Sequence, residues 1–155
     1  MSVDTRSAQE APPSACLAPA SASFERLAEA LRRPQVLFKE MADPCLVARC
    51  EMADWEATTA SLRRILDRYD VAPDLVMAKL HLAAEFMKHH DIPLEGSPWL
   101  CTYHDESDIW ARYDIHTALS GPDISVWQDR FDDVLASRDL RIECFQIWLL
   151  DRGPR

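Results

Sequence analysis

Apolar residues recur at helical spacing along much of this chain. Phe24, Leu27, Ala28 and Leu31 stand at i, i+3, i+4 and i+7. They predict an amphipathic helix from Ser23 to Arg33, capped by Ser21 or Ser23 and stopped by Pro34. A second helix is expected from Asp54, a good capping residue, to Tyr69, with Trp55, Leu62, Ile65, Leu66 and Tyr69 on one face. Pro73 suits the first turn of a third, which reaches about His90. Val76, Leu80, Ala83, Ala84 and Met87 line one side of it, and Leu75, Leu82 and Phe86 widen the stripe past half the circumference. A helix that apolar packs on more than one neighbour, so it is expected at the centre of the fold.

The pattern is less regular elsewhere. Val36-Leu37-Phe38 and Cys45-Leu46-Val47-Ala48 read equally as short buried strands or as irregular turns around Pro44. Asp91 to Glu106 reads as a loop broken by Pro93, Gly96 and Pro98. Ser107 can cap a helix carrying Trp110 and Tyr113 that ends before Ser120-Gly121-Pro122. Asp123 or Ser125 can cap another, with Trp127, Phe131, Val134 and Leu135 facing inward. From Leu140 to Leu150, Leu140, Ile142 and Cys144 alternate as in a strand, while Leu140, Cys144, Ile147 and Trp148 fit a helical stripe. The fold class that follows is mainly α: a compact domain of five to six helices, with α+β as the variant if residues 35–52 and 140–150 make a small sheet.

Composition sharpens this picture. A chain of 155 residues suits one domain, expected over residues 21–152. Residues 1–20, rich in Ala, Ser and Pro, read as a disordered tail with too little apolar surface to offset the entropy of ordering. There is no Asn, and the three glycines (Gly96, Gly121, Gly153) stand far apart. Tight hairpins, phosphate-cradling loops, dinucleotide fingerprints and nucleophile elbows all lean on such residues, so these classes lose their footing. No run of ~18 apolar residues is present, and Asp4 stands where a secretory signal would carry Lys or Arg. The expected location is the cytoplasm, with the five cysteines as thiols.

Charge is the strongest functional signal. The net charge is −9, and the segment from Asp91 onward holds thirteen acidic and six basic residues, a balance of −7. That argues strongly against direct nucleic-acid binding, which needs Lys and Arg to displace counterions. Some of these carboxylates stand at helix starts, where the dipole favours them, and others serve as a solvated face. Asp129, Asp132 and Asp133 are expected to stand together in solvent opposite Trp127 and Phe131. Such a patch fits a protein partner with a basic surface. The expected function is therefore a small acidic binding module that blocks or sequesters that partner, as an inhibitor, an immunity- or antitoxin-like neutraliser, a nucleic-acid mimic or a chaperone. The residues expected to carry it are Asp105, Glu106, Asp108, Asp129, Asp132 and Asp133, with Trp99 as an aromatic anchor in the loop beside them. Trp55, Trp110, Trp127 and Trp148 are expected in the core. A structural subunit of a larger assembly is a further alternative.

The enzymatic alternative rests on one helix. His81, Glu85 and His89 follow each other at i, i+4 and i+8, and His90 and Asp91 close the same segment. Imidazole and carboxylate suit zinc or iron. The His89-His90-Asp91-Ile92 end of this apolar helix resembles the metal-binding doublet of the HD-domain phosphohydrolases, which are all-helical hydrolases. The resemblance covers about ten residues and implies a metal-dependent hydrolase using His81, Glu85, His89, His90 and Asp91. That family's additional upstream histidine has no counterpart, since no His precedes His81, and Lys88 sets a positive charge on the same strip. Cys101-x-x-His104, with Cys45 and Cys50, has half the spacing of a zinc clip. No cofactor is expected under the leading reading.

Overall fold

The computed structural model describes residues 18–51 and 54–151. Helices α1 (Ala18–Arg32), α2 (Trp55–Arg68), α3 (Pro73–His89) and α4 (Gly121–Ser137) accompany strands β1 (Arg49–Cys50), β2 (Trp99–His104), β3 (Ile109–His116) and β4 (Phe145–Leu150). The sheet runs in the order β1-β2-β3-β4. β1 is parallel to β2, β2 and β3 form an antiparallel hairpin, and β4 is parallel to β3. Both parallel pairs are joined through helices, α2 and α3 in the first crossover and α4 in the second. No helix of the described residues is long and apolar enough to cross a membrane.

This overturns the mainly α domain of five to six helices. The stretch expected as a loop followed by a helix is the central hairpin. Ile109, Ala111, Tyr113 and Ile115 alternate with Trp110, Arg112, Asp114 and His116, and the first set is buried at or below 9% exposure. That is a two-residue period, and a helix would scatter those four around its axis. The hairpin turn needs neither Asn nor Gly: Asp105 N–H donates to the Asp108 carbonyl (2.8 Å), and the Asp105 carboxylate accepts from Glu106 N–H. Residues 140–150 resolve as a strand over their last six positions. The small sheet anticipated from residues 35–52 and 140–150 is not formed either, because β1 and β4 are the two outer strands and never meet. Val36-Leu37-Phe38 belongs to a 3-10 turn (Pro34–Val36) and its exit, with Leu37 and Phe38 buried.

Helices α2 and α3 follow their sequence signals closely, whereas α1 begins at Ala18, so Ser21 and Ser23 lie within it and do not cap it. Asp54 caps α2, its side chain accepting from Glu56 N–H (3.0 Å) and Ala57 N–H (3.3 Å). Pro73 opens α3, and Val76, Leu80 and Met87 are fully buried at the centre. α4 starts earlier than expected, at Gly121, with the Ser120 hydroxyl donating to Asp123 (2.7 Å). Three helices end alike. Asp70, Asp91 and Asp139 take positive φ (52°, 51° and 55°) just beyond α2, α3 and α4. After each, an apolar N–H reaches back: Val71 to Leu66, Ile92 to Met87, Leu140 to Leu135. These are Schellman closures, with aspartate where glycine usually stands.

The core lies between the helices and one face of the sheet. Leu100, Ala111, Tyr113, Ile115, Phe145, Ile147 and Leu149 share it with residues of all four helices. The Tyr113 hydroxyl crosses that layer to donate to the Leu31 carbonyl (2.9 Å), and burial pushes its pKa up. The tail expected over residues 1–20 lies outside the described residues except for its last three, which belong to α1.

Candidate functional site

Because all the helices pack on one face of the sheet, the side chains of alternate parity point the other way. On that face β2 sets Trp99, Cys101 and Tyr103, β3 sets Trp110, Arg112 and Asp114, and β4 sets Gln146 and Trp148. Among the described residues no element covers it. Trp148 is 44% exposed, Trp99, Tyr103 and Trp110 are half-buried, and none of the four belongs to the core cluster.

A ladder of rings and a cation crosses the three strands. The Trp110 and Tyr103 rings stack with centroids 5.2 Å apart and planes 15° apart. The Arg112 guanidinium follows, 5.3 Å from the Tyr103 ring and 4.7 Å from the Trp148 ring. It is held by a two-pronged pair with buried Asp114, Nε to Oδ1 at 2.6 Å and Nη2 to Oδ2 at 2.9 Å. Cross-strand register explains the arrangement, since Tyr103 faces Trp110 and Asp114 faces both Trp99 and Trp148. Such pairs, and cations over ring faces, are favourable on a partly dry surface. Trp99 therefore belongs to a strand, not a loop, and Trp110 and Trp148 lie on the open face rather than in the core. Trp55 and Trp127 do pack against the core.

At the β4 edge this face turns into a groove of about 510 Å³ between β4 and α4, lined by Trp148, Ile147, Leu149, Gln128, Asp129, Asp132 and Lys79 among others. β4 is an outer strand, and its Phe145 and Ile147 carbonyls and Leu149 N–H are taken by side chains. The Lys79 ammonium donates to the Phe145 carbonyl (2.6 Å) and the Ile142 carbonyl (3.2 Å). Gln128 donates to the Ile147 carbonyl (3.2 Å) and accepts from Leu149 N–H (2.8 Å), so its amide imitates a neighbouring strand. Lys79 is only 4% exposed. Burial lowers its pKa to about 8, against the opposing pull of the Asp132 carboxylate. Sequence reasoning passed over Lys79 and Gln128. A polar residue on a helix reads as solvent-facing, and only the need to close a strand edge brings these two inward.

The carboxylates expected to form one plate fall into two groups. Asp105, Glu106 and Asp108 sit at the hairpin tip, where Asp108 accepts from the Tyr69 hydroxyl and from Ile109 N–H. Asp129 and Asp133 are exposed on α4, whereas Asp132 is half-buried, accepts from Gln128 (3.2 Å) and turns toward the β4 edge. None of the six makes a salt bridge among the described residues.

The residues of the metal alternative diverge. His81, Glu85 and His89 lie exposed along α3, but His90 turns in between the Phe86 ring (4.6 Å) and the Trp127 ring (4.7 Å). Asp91 stands at the left-handed backbone position that closes α3. Cys101 and His104 are three apart on one strand and so point to opposite faces, and burial raises the Cys101 thiol pKa, keeping it protonated. Among the described residues no group of three His, Cys, Asp or Glu side chains is placed to hold a metal ion. In comparisons with known proteins, no family model, no curated sequence and no solved structure matches the chain.

Proposed function

We propose that this chain is an acidic protein-binding module that docks a basic protein on the uncovered face of its sheet. It blocks or sequesters that partner by occupancy and does no chemistry on it. The observation that carries this reading is the face of Trp99, Tyr103, Trp110 and Trp148, which no helix of the described residues covers, in a molecule of net charge −9. Large aromatic side chains anchor interfaces, and their ring faces attract guanidinium and ammonium groups. Unpaired carboxylates at the hairpin tip and on α4 add attraction at longer range, which speeds encounter and rejects acidic competitors. An inhibitor, an immunity- or antitoxin-like neutraliser, a nucleic-acid mimic and a chaperone for a basic client all share this physics. The same charge works against binding nucleic acid directly. On this reading the protein acts in the cytoplasm, where Cys45, Cys101 and Cys144 remain thiols.

The test is affinity capture from the source cell, run in parallel with the unaltered chain and with a folded variant carrying Trp110→Ser and Trp148→Ser. The expected result is a basic protein retained by the unaltered chain, released by raised salt and missed by the variant. Equal retention by both chains, or retention that ignores ionic strength, would contradict the proposal.

A further inference from the structure

We propose that the groove along the outer edge of β4 receives an arginine side chain of the docked partner, with the Trp148 indole as its stacking wall and Asp129 and Asp132 as its anionic end. This rests on the reading that a basic protein docks on the adjoining sheet face, and Trp148 belongs to both surfaces.

The open face already holds one guanidinium by this means: Arg112 lies 4.7 Å from the Trp148 ring and grips the Asp114 carboxylate through two nitrogens. On the groove side an indole 44% exposed and a pair of carboxylates recur, and the one cation that lines the groove, Lys79, makes no salt bridge to either carboxylate. The neighbouring cations are committed elsewhere. Lys79 is spent on the Phe145 and Ile142 carbonyls, and Arg130 lies 4.8 Å over the Trp127 ring. Asp129 and Asp132 make no salt bridge among the described residues. The groove, about 510 Å³, is larger than one side chain requires.

Two features select the occupant. Gln128 occupies the Ile147 carbonyl and the Leu149 N–H, and Lys79 the Phe145 carbonyl, so the β4 edge disfavours an added strand and favours entry by side chains. A planar, weakly hydrated guanidinium stacks on indole and meets carboxylates with a fork, whereas an ammonium is a hydrated point charge. Arginine is therefore preferred over lysine.

The experiment follows the indole N–H signals of the full chain by NMR during titration with tri-arginine amide and, separately, tri-lysine amide at low salt. Tri-arginine should move the Trp148 signal and leave Trp55 in place, with tri-lysine about threefold weaker or worse. Asp129→Asn combined with Asp132→Asn should weaken tri-arginine binding about tenfold, while unchanged Trp55 and Trp127 signals report an intact fold. A Trp148 signal that stays still, equal binding of the two peptides, or indifference to the aspartate substitutions overturns the proposal. If Trp99 and Trp110 move while Trp148 does not, the groove site fails and docking on the sheet face survives.

Discussion

At the scale of single residues, aspartate carries duties that Asn and Gly perform in most proteins. Asp70, Asp91 and Asp139 adopt the left-handed backbone that closes three helices, Asp54 caps α2, and Asp105 and Asp108 shape the hairpin turn. Part of the acidity of this chain is thus structural, and counting charges along the sequence overstates the docking patch. Asp139→Gly should stabilise the fold by about 1 kcal/mol, because glycine meets no Cβ penalty at positive φ. Chemical denaturation measures it, and a loss of stability would show the aspartate side chain holding something else. Lys79 makes the sharper case. Its pKa falls from 10.5 in the open chain to about 8 in the fold, so between those values the unfolded chain binds the extra proton. Stability then rises with pH across that window, is fully gained above about 10.5, and is lost again as pH falls through about 8. The difference between the unaltered chain and Lys79→Met cancels the buried thiols and tyrosines, which titrate nearby with opposite sign. That difference should move in favour of the unaltered chain by up to about 3 kcal/mol between those limits. A flat difference would mean the ammonium is better hydrated than its 4% exposure implies.

Among elements, the outer strand β4 is where side chains stand in for backbone. Gln128 replaces a missing neighbour strand with two hydrogen bonds, and Gln128→Ala should expose the Ile147 carbonyl and the Leu149 N–H. Destabilisation of about 1–3 kcal/mol is expected, together with concentration-dependent self-association through the uncovered edge. Sedimentation across a concentration series checks this, and a strictly monomeric variant would show that the groove walls alone protect the edge. The elements also show what could be read in advance. Helices α1 to α4 were legible because their apolar residues repeat at helical spacing and Asp54, Pro34 and Pro73 mark their limits. The β2–β3 hairpin was not. Its turn is built from Asp105 to Asp108 without the usual glycine, and its inward set includes Ala111, too small to announce a strand. Outward, Trp110 and Trp148 suggested a core, since large aromatic residues are usually buried and nothing local reveals a sheet open on one side. Trp99, expected in a loop, stands on a strand and shares its face with Trp110 and Trp148, so the expected contrast with core tryptophans holds only against Trp55 and Trp127.

For the whole molecule, the division into a helical layer and an uncovered aromatic face matters more than the total charge. Among the described residues the helices supply a core for one side of the sheet, and a cross-strand ladder of Trp110, Tyr103, Arg112 and Trp148 lies on the other, uncovered by any of them. The proposed partner completes the second side. Raising ionic strength should slow its association far more than its dissociation, because the carboxylates act on encounter and the rings act on contact. The five tryptophans make the central claim directly measurable, since Trp99, Trp110 and Trp148 lie on the open face while Trp55 and Trp127 pack against the core. Indole N–H spectra of the complex with the captured partner should therefore show the first three signals displaced and the last two unmoved. Displacement of Trp55 and Trp127, with the other three unchanged, would put the partner on the helices and contradict the account.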